Sequence, residues 1–487
     1  MYVMDGVVKA WSFEQSGEGR GGLIPTLLPR FLVLLIVSSV VLAVIGPLGQ
    51  VVFIVLAIHA LRGAKQSVEA LGLLSILLLG SRAIYPDGVG LFRWVIIFCA
   101  FGRVVWDSVV NPEISPVPRR LLGVLSLLSV WVLVGAYLVS PVPVLTILKL
   151  ISFVVGVIAI VVSFYRTYDL IPYWYSWFFT MFVFSLLGSI VVAPMGLGYL
   201  RTAQGFQGIF QHPMTFGPLA ASIAAWMAGL YLVCKRDGLW RFLGLSCLAC
   251  LFVYASLSRT AALALGSGFL LALIASIFRR DVKRPLEFLF SSKILIILGF
   301  LVSAGVLFAP QLSQAIQDFI AKDGVQGDAA ELFEESRGAL VARSMVNFRA
   351  SPLMGIGFGV PSDLRRLDQH LEKIAGIPVS ASSEKGFMPS AVLEEIGIGG
   401  AMITIWLLIL LIRPVVHWGG FPAIWLLFTS ILVNVGQAIF YSIGGPGYFL
   451  WLMIGLCYAR ACWGKKNMLM HFYGKRPEVD NCALRWR

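Results

Sequence analysis

Hydrophobic residues fall in runs about as long as a bilayer is thick, and these runs recur along nearly the whole chain with short polar breaks between them. Fourteen such runs lie near 31–45, 48–61, 68–84, 89–106, 121–139, 144–165, 173–192, 213–234, 240–257, 260–278, 294–310, 386–412, 420–441 and 446–462. The first two share a break at Gly46 to Gly49 and read equally as one bent span. In lipid each backbone polar group needs an internal partner, so such runs become helices. The pattern predicts an all-α polytopic bundle of about 12–14 transmembrane helices, interrupted by one long polar insertion from Pro310 to Glu384.

That insertion is too long for a simple connection, and loops of this size are functional or disordered. Its stretch AAELFEESRGALVARSMVNFRA (Ala329 to Ala350) has helical composition, with acids early and bases late as the helix dipole favours. SPLMGIGFGVP follows as a glycine-rich turn. The chain therefore divides into a polar segment 1–30, a transmembrane bundle 31–310, a large loop 311–384 that acts as a lid with an arginine-rich helix, C-terminal spans 385–462 and a basic tail 463–487.

Composition agrees with this reading. Of 487 residues 58% are hydrophobic and 13% charged, with mean hydropathy +0.86. Soluble domains carry about 25% charged residues. The first thirty residues are polar and glycine-rich, with no compact apolar core before a small-residue site, so the first apolar run is expected to be an uncleaved anchor. The net charge of +13 is spread in short segments between apolar runs. Placing the N-terminus in the cytoplasm puts Arg62/Lys65, Arg119/Arg120, Arg166, Lys235/Arg236/Arg241, Arg279/Arg280 and Arg413 on one side with the C-terminal tail. A contiguous basic face of the kind that binds nucleic acid is missing from this pattern, so no nucleic-acid partner is expected. The same orientation leaves Ala193 to His212 and the long insertion outside.

None of the seven cysteines falls in the insertion, so it is not a disulfide scaffold. Cys247 and Cys250, in GLSCLACLFVY, are expected as small buried thiols rather than a metal or redox pair. No HExxH, paired CxxC, GxSxG or P-loop pattern occurs, so zinc, serine-hydrolase and ATPase chemistry find no support, and no metal or cofactor is expected.

The candidate chemistry lies outside. Arg259 follows an apolar run without an acidic neighbour in sequence, a costly place for a guanidinium unless a substrate or water meets it; snorkelling at a helix end is the alternative. Arg337, Arg343 and Arg349 are six apart. On one straight helix they point about 120° from one another, so not all can line one site. Gly355 and Gly357 could let backbone approach a phosphate, although the strand–turn–helix context of a nucleotide fold is missing. His212 reads as a structural hydrogen-bonder or a substrate contact. Arg201, in the first external segment, completes the set.

The order GFQGIFQHPMTFG, then SLSRTA before a span, then a large loop with SRG…ASPLMGIGFG, then LEEIGIGG opening the next span, resembles the O-antigen polymerase and ligase superfamily over roughly residues 195–445. That resemblance implies metal-independent, inverting glycosyl transfer on the outer face of the bacterial inner membrane. The donor would be an oligosaccharide on undecaprenyl diphosphate, and a flippase and chain-length regulator of the same pathway would be partners. Family arginines hold the diphosphate; Arg259 matches the SRT arginine, and Arg337 and Arg343 lie in the loop segment. Guanidinium forks suit a diphosphate and stabilise it as it leaves. Glu395 matches the family glutamate. Ligases carry a His-Asn pair about nine residues earlier, where this chain reads Lys385-Gly386-Phe387. The ligase base is therefore not carried over. Glu384 could take the acceptor proton, Lys385 could add a diphosphate contact, and His370 lacks motif context.

The missing histidine favours a polymerase of repeat units over a ligase. A transporter is the second reading, against which stands the scarcity of ionisable residues at mid-bilayer. A scaffold in an export complex is the third.

Overall fold

A computed structural model describes residues 50–80, 89–110, 117–199, 205–233, 240–277, 337–366, 371–374, 377–381 and 385–473 except 444 and 446, with single helical positions at 292, 295, 296, 299, 303 and 369. The expected runs near 31–45 and 294–310 fall largely outside these residues, as do Arg201 and Glu384.

The described chain is nearly all helix. In order come α1 (Gln50–Leu61), α2 (Ala64–Leu79), α3 (Val89–Val110), α4 (Arg119–Leu138), α5 (Pro143–Arg166), α6 (Ile171–Val192), α7 (Pro213–Val233), α8 (Trp240–Ala255) and α9 (Arg259–Ile277). After the loop helix α10 (Ala339–Ala350) follow α11 (Met388–Pro414), α12 (Phe421–Gln437) and α13 (Gly447–Tyr473). Six segments, Arg119–Leu138, Pro143–Arg166, Tyr168–Val192, Pro213–Val233, Arg259–Ile277 and Met388–Gly419, are long and apolar enough to cross a membrane. This is a multi-pass membrane protein. Its outer faces fit lipid: Leu263, Leu270 and Ile274 on α9 and Ile405 and Ile409 on α11 are all more than half exposed.

The bundle is built by neighbours that run side by side: α9 along α12, α7 between α8 and α12, α5 against α13, and α4 against α11. Its centre is rich in large aromatics, with Trp174, Trp226 and Trp451 fully enclosed. Three details differ from the sequence expectation. The loop holds a small antiparallel hairpin, β1 (Leu371–Ile374) with β2 (Ile377–Ala381), in which Ile374 faces Ile377 and a register shift follows Glu372. α13 continues well past its apolar run, and Lys466 on the extension bonds Asp169 at 2.8 Å. Cys247 and Cys250 are exposed on α8 rather than buried, because the apolar surroundings that pattern alone assigns to a core are here the outer face of a membrane helix.

Candidate functional site

The motif segments meet at one end of the bundle. His212 stands before Pro213 and caps α7: its Nδ1 accepts the Met214 N–H at 3.0 Å, while its carbonyl accepts Thr215 and Phe216. Pro218 inside α7 has no N–H, which leaves the Met214 carbonyl without its helical donor. Gln437 at the end of α12 supplies one, 3.2 Å away. Phe206 N–H bonds the Ala255 carbonyl at 2.9 Å, so the segment ahead of α7 lies against the end of α8.

Between α8 and α9, SLSRT makes a tight turn with Leu257 at φ 52°, a conformation uncommon for a residue with a Cβ. α9 then begins at Arg259, which is half-buried. Thr260 beside it lies against Gly436 on α12, where an added Cβ would stand 2.4 Å from Thr260 Cγ2. The last carbonyls of a helix have no intrahelical donor. Arg337 fills that need here, since its Nη1 donates to the carbonyl of Gly436 and also to that of Gly386. The SRT turn, the loop arginine and the segment that opens α11 therefore converge at Gly436. Arg343 instead points outward, 53% exposed, and pairs with Asp363 at 3.3 Å. Arg349 is also exposed. Arg337 lies in the π turn just ahead of α10, whereas Arg343 and Arg349 stand on α10 itself.

Beneath this lies a break in α11. Gly397 adopts φ 64°, ψ −170°, which interrupts the helical ladder. Inside a membrane the freed backbone groups need other partners. The turn after α10 provides them: Ile356 N–H bonds Glu394 O at 2.7 Å, Gly357 N–H bonds Glu395 O at 3.1 Å, and Ile398 N–H bonds Pro352 O at 2.9 Å. Trp131 of α4 donates its Nε1 to Ile396 O at 3.0 Å. A Cβ at Gly397 would stand 2.2 Å from Leu353 O, so only glycine allows this approach. The N–H groups of Gly355 and Gly357 are thereby bonded within the chain, to Ser351 O and Glu395 O.

The carboxylates of the same stretch hold a polar knot. Glu394 is 0% exposed, Lys385 7% and Glu395 8%. Lys385 Nζ lies 3.0 Å from Glu395 and 3.4 Å from Glu394. Glu394 also accepts from Asn347 Nδ2 at 2.6 Å, Ser344 Oγ at 2.9 Å and Ser362 Oγ at 2.9 Å. The second oxygen of Glu395 accepts the Gly359 N–H at 2.8 Å. Phe358 packs edge-on against Tyr441 and Phe153, with centroids 4.9 and 6.1 Å away, and gives the turn an apolar floor. Among the described residues no group of three or more His, Cys, Asp or Glu is placed to hold a metal ion.

Sequence reasoning singled out Glu395 and passed over Glu394, Ser344, Asn347 and Ser362. A signal was present: two adjacent carboxylates in an apolar run need a buried cation and donors, and Ser344 and Asn347 are spaced to share one helix face.

Residues 244–383 match the family model described as O-antigen ligase. This agrees with the resemblance carried by the motifs, and it points to a membrane enzyme that processes glycans. No curated protein matches the chain.

Proposed function

We propose that this chain is a bacterial O-antigen or exopolysaccharide polymerase. It transfers a growing glycan from undecaprenyl diphosphate to the non-reducing sugar of a lipid-linked repeat unit, without a metal ion, on the periplasmic face of the inner membrane. The observation that carries this reading is the convergence of Arg337 and the SRT turn at Gly436. The Arg337 guanidinium held there, with Arg259 next to Thr260 in the same turn, can meet the two phosphates of a donor whose lipid tail stays in the bilayer.

In the reaction the acceptor hydroxyl oxygen bonds the anomeric carbon as the bond from that carbon to the diphosphate oxygen breaks. The electron pair leaves with undecaprenyl diphosphate, where Arg337 and Arg259 stabilise the added charge. The hydroxyl proton goes to a carboxylate, and Glu384, beside the knot in sequence, is the candidate. Lys385 lies beside Gly386, where a ligase would show its histidine, and its ammonium is engaged by Glu394 and Glu395. That arrangement supports a structural role for Lys385 and a polymerase over a ligase. The basic loops support a cytoplasmic placement of both termini.

The test is a deletion strain analysed for lipid-linked glycans. Accumulated single repeat units mean polymerase; long polymer that is never transferred to its final acceptor means ligase and overturns the assignment.

A further inference from the structure

Glu394 has no part in the transfer step, yet it is the most completely enclosed carboxylate among the described residues. Burying a carboxylate is costly, but the single oxygen of an amide has two lone pairs where three donors need acceptors. A charged acceptor makes each of those bonds roughly twice as strong. Two of the donors, Ser344 and Asn347, lie three apart on α10 and face the same way. Fixing both sets the rotation of α10 about its own axis. The third, Ser362, ties down the far side of the glycine turn. Lys385, paired with the same carboxylate, immediately precedes Gly386, and the Gly386 carbonyl receives Arg337. One buried group thus reaches both the helix that follows Arg337 and the backbone on which Arg337 rests.

We propose that Glu394 is a positioning residue that holds the arginine-bearing helix in one rotation and depth against α11, so that Arg337 is set for the diphosphate. The proposal rests on the reading of Arg337 given above. Glu394→Gln is a sparing test, because it leaves Lys385 paired one-to-one with Glu395 and creates no unpaired buried charge. Ser344→Ala with Asn347→Leu removes the donors while keeping the carboxylate.

Spin labels at Val346 on α10 and Ile277 at the far end of α9, both exposed, report the helix position in the full-length protein with its native cysteines replaced. The unsubstituted protein should give one narrow distance distribution, and both variants a broader one. Turnover of the lipid-linked repeat unit should fall about 100-fold in Glu394→Gln, the usual cost of a misplacement near 1 Å, with the protein still inserted and monodisperse. Unchanged distances in both variants overturn the proposal. Broadened distances with unchanged turnover overturn it too, since they show a purely structural contact. A parent protein that neither binds undecaprenyl diphosphate nor polymerises overturns the functional reading instead, and the distances, which need no substrate, still judge the role of Glu394.

Discussion

At the end of the bundle away from the motifs, Asp107 lies between two guanidinium groups, Arg103 at 2.6 Å and Arg166 at 3.6 Å. At the motif end the arrangement is inverted: one ammonium, Lys385, lies between two carboxylates. The central residue of each cluster is buried, and both clusters carry an uneven charge. What differs is the backbone around them. Arg103 and Asp107 are four apart on α3 and Arg166 closes α5, so that cluster is a strut between two intact helices. Nearby, Glu69 joins His59, Lys65 and Tyr173 in the same manner. The Lys385 cluster instead sits on a broken helix and reaches a loop that carries arginines. A strut between helices can lose a member and leave a bundle; the knot cannot lose one without moving Arg337.

The largest test of this contrast is Arg337→Ala, expected to lower polymer synthesis about 1,000-fold with normal protein level, as loss of a main charge-stabilising group does. Arg337→Lys should not restore it, because one ammonium cannot replace a planar fork that reaches two carbonyls and, as proposed, keeps donors for a phosphate. Glycan length on gels of both mutants is the measurement, and wild-type polymer in Arg337→Ala would end the proposal. Next, Lys385→Met leaves two buried carboxylates without a cation and should cost roughly 3–5 kcal/mol in thermal or denaturant unfolding.

Gly397→Ala should lower stability by at least about 1–3 kcal/mol, since a side chain is forced into a positive φ against the Leu353 carbonyl. Gly102→Ala in α3, where a Cβ meets nothing within 4 Å, should raise it by about 0.5–1 kcal/mol. Equal responses at the two glycines would show that the break in α11 is not special. The smallest effect belongs to Lys466→Ala: its partner Asp169 is 56% exposed, so unfolding should shift by about 0–1 kcal/mol and synthesis should be unchanged.

The apolar runs foretold most of the described helices, because in a membrane length and hydropathy decide them locally. The glycine turn after α10 was also legible from Gly355, Gly357 and Gly359, and so was the separation of Arg337 from Arg343, although the π turn that carries Arg337 was not. The break at Gly397 was not. Glycine is common in membrane helices, and only its distant pairing with residues 352–357 shows which one interrupts the ladder. Glu394 was hidden for the same reason, since its donors lie 32–50 residues away in sequence. The hairpin at 371–381 lies in a stretch without clear alternation, and helical periodicity offered no reason to expect strands there.

The pairing of residues 352–357 with 394–399 has a consequence for how this chain can change over time. Each bond joins a fixed residue on one side to a fixed residue on the other, from Pro352 with Ile398 to Gly357 with Glu395. One residue inserted or deleted within either stretch would slip every later pair and turn a glycine's place over to a side chain. Such changes should be purged there, while the loop can lengthen or shorten between them. A connection of variable length, joined to a seam of constant length, would let related chains change one without disturbing the place of Arg337 against Gly386 and Gly436.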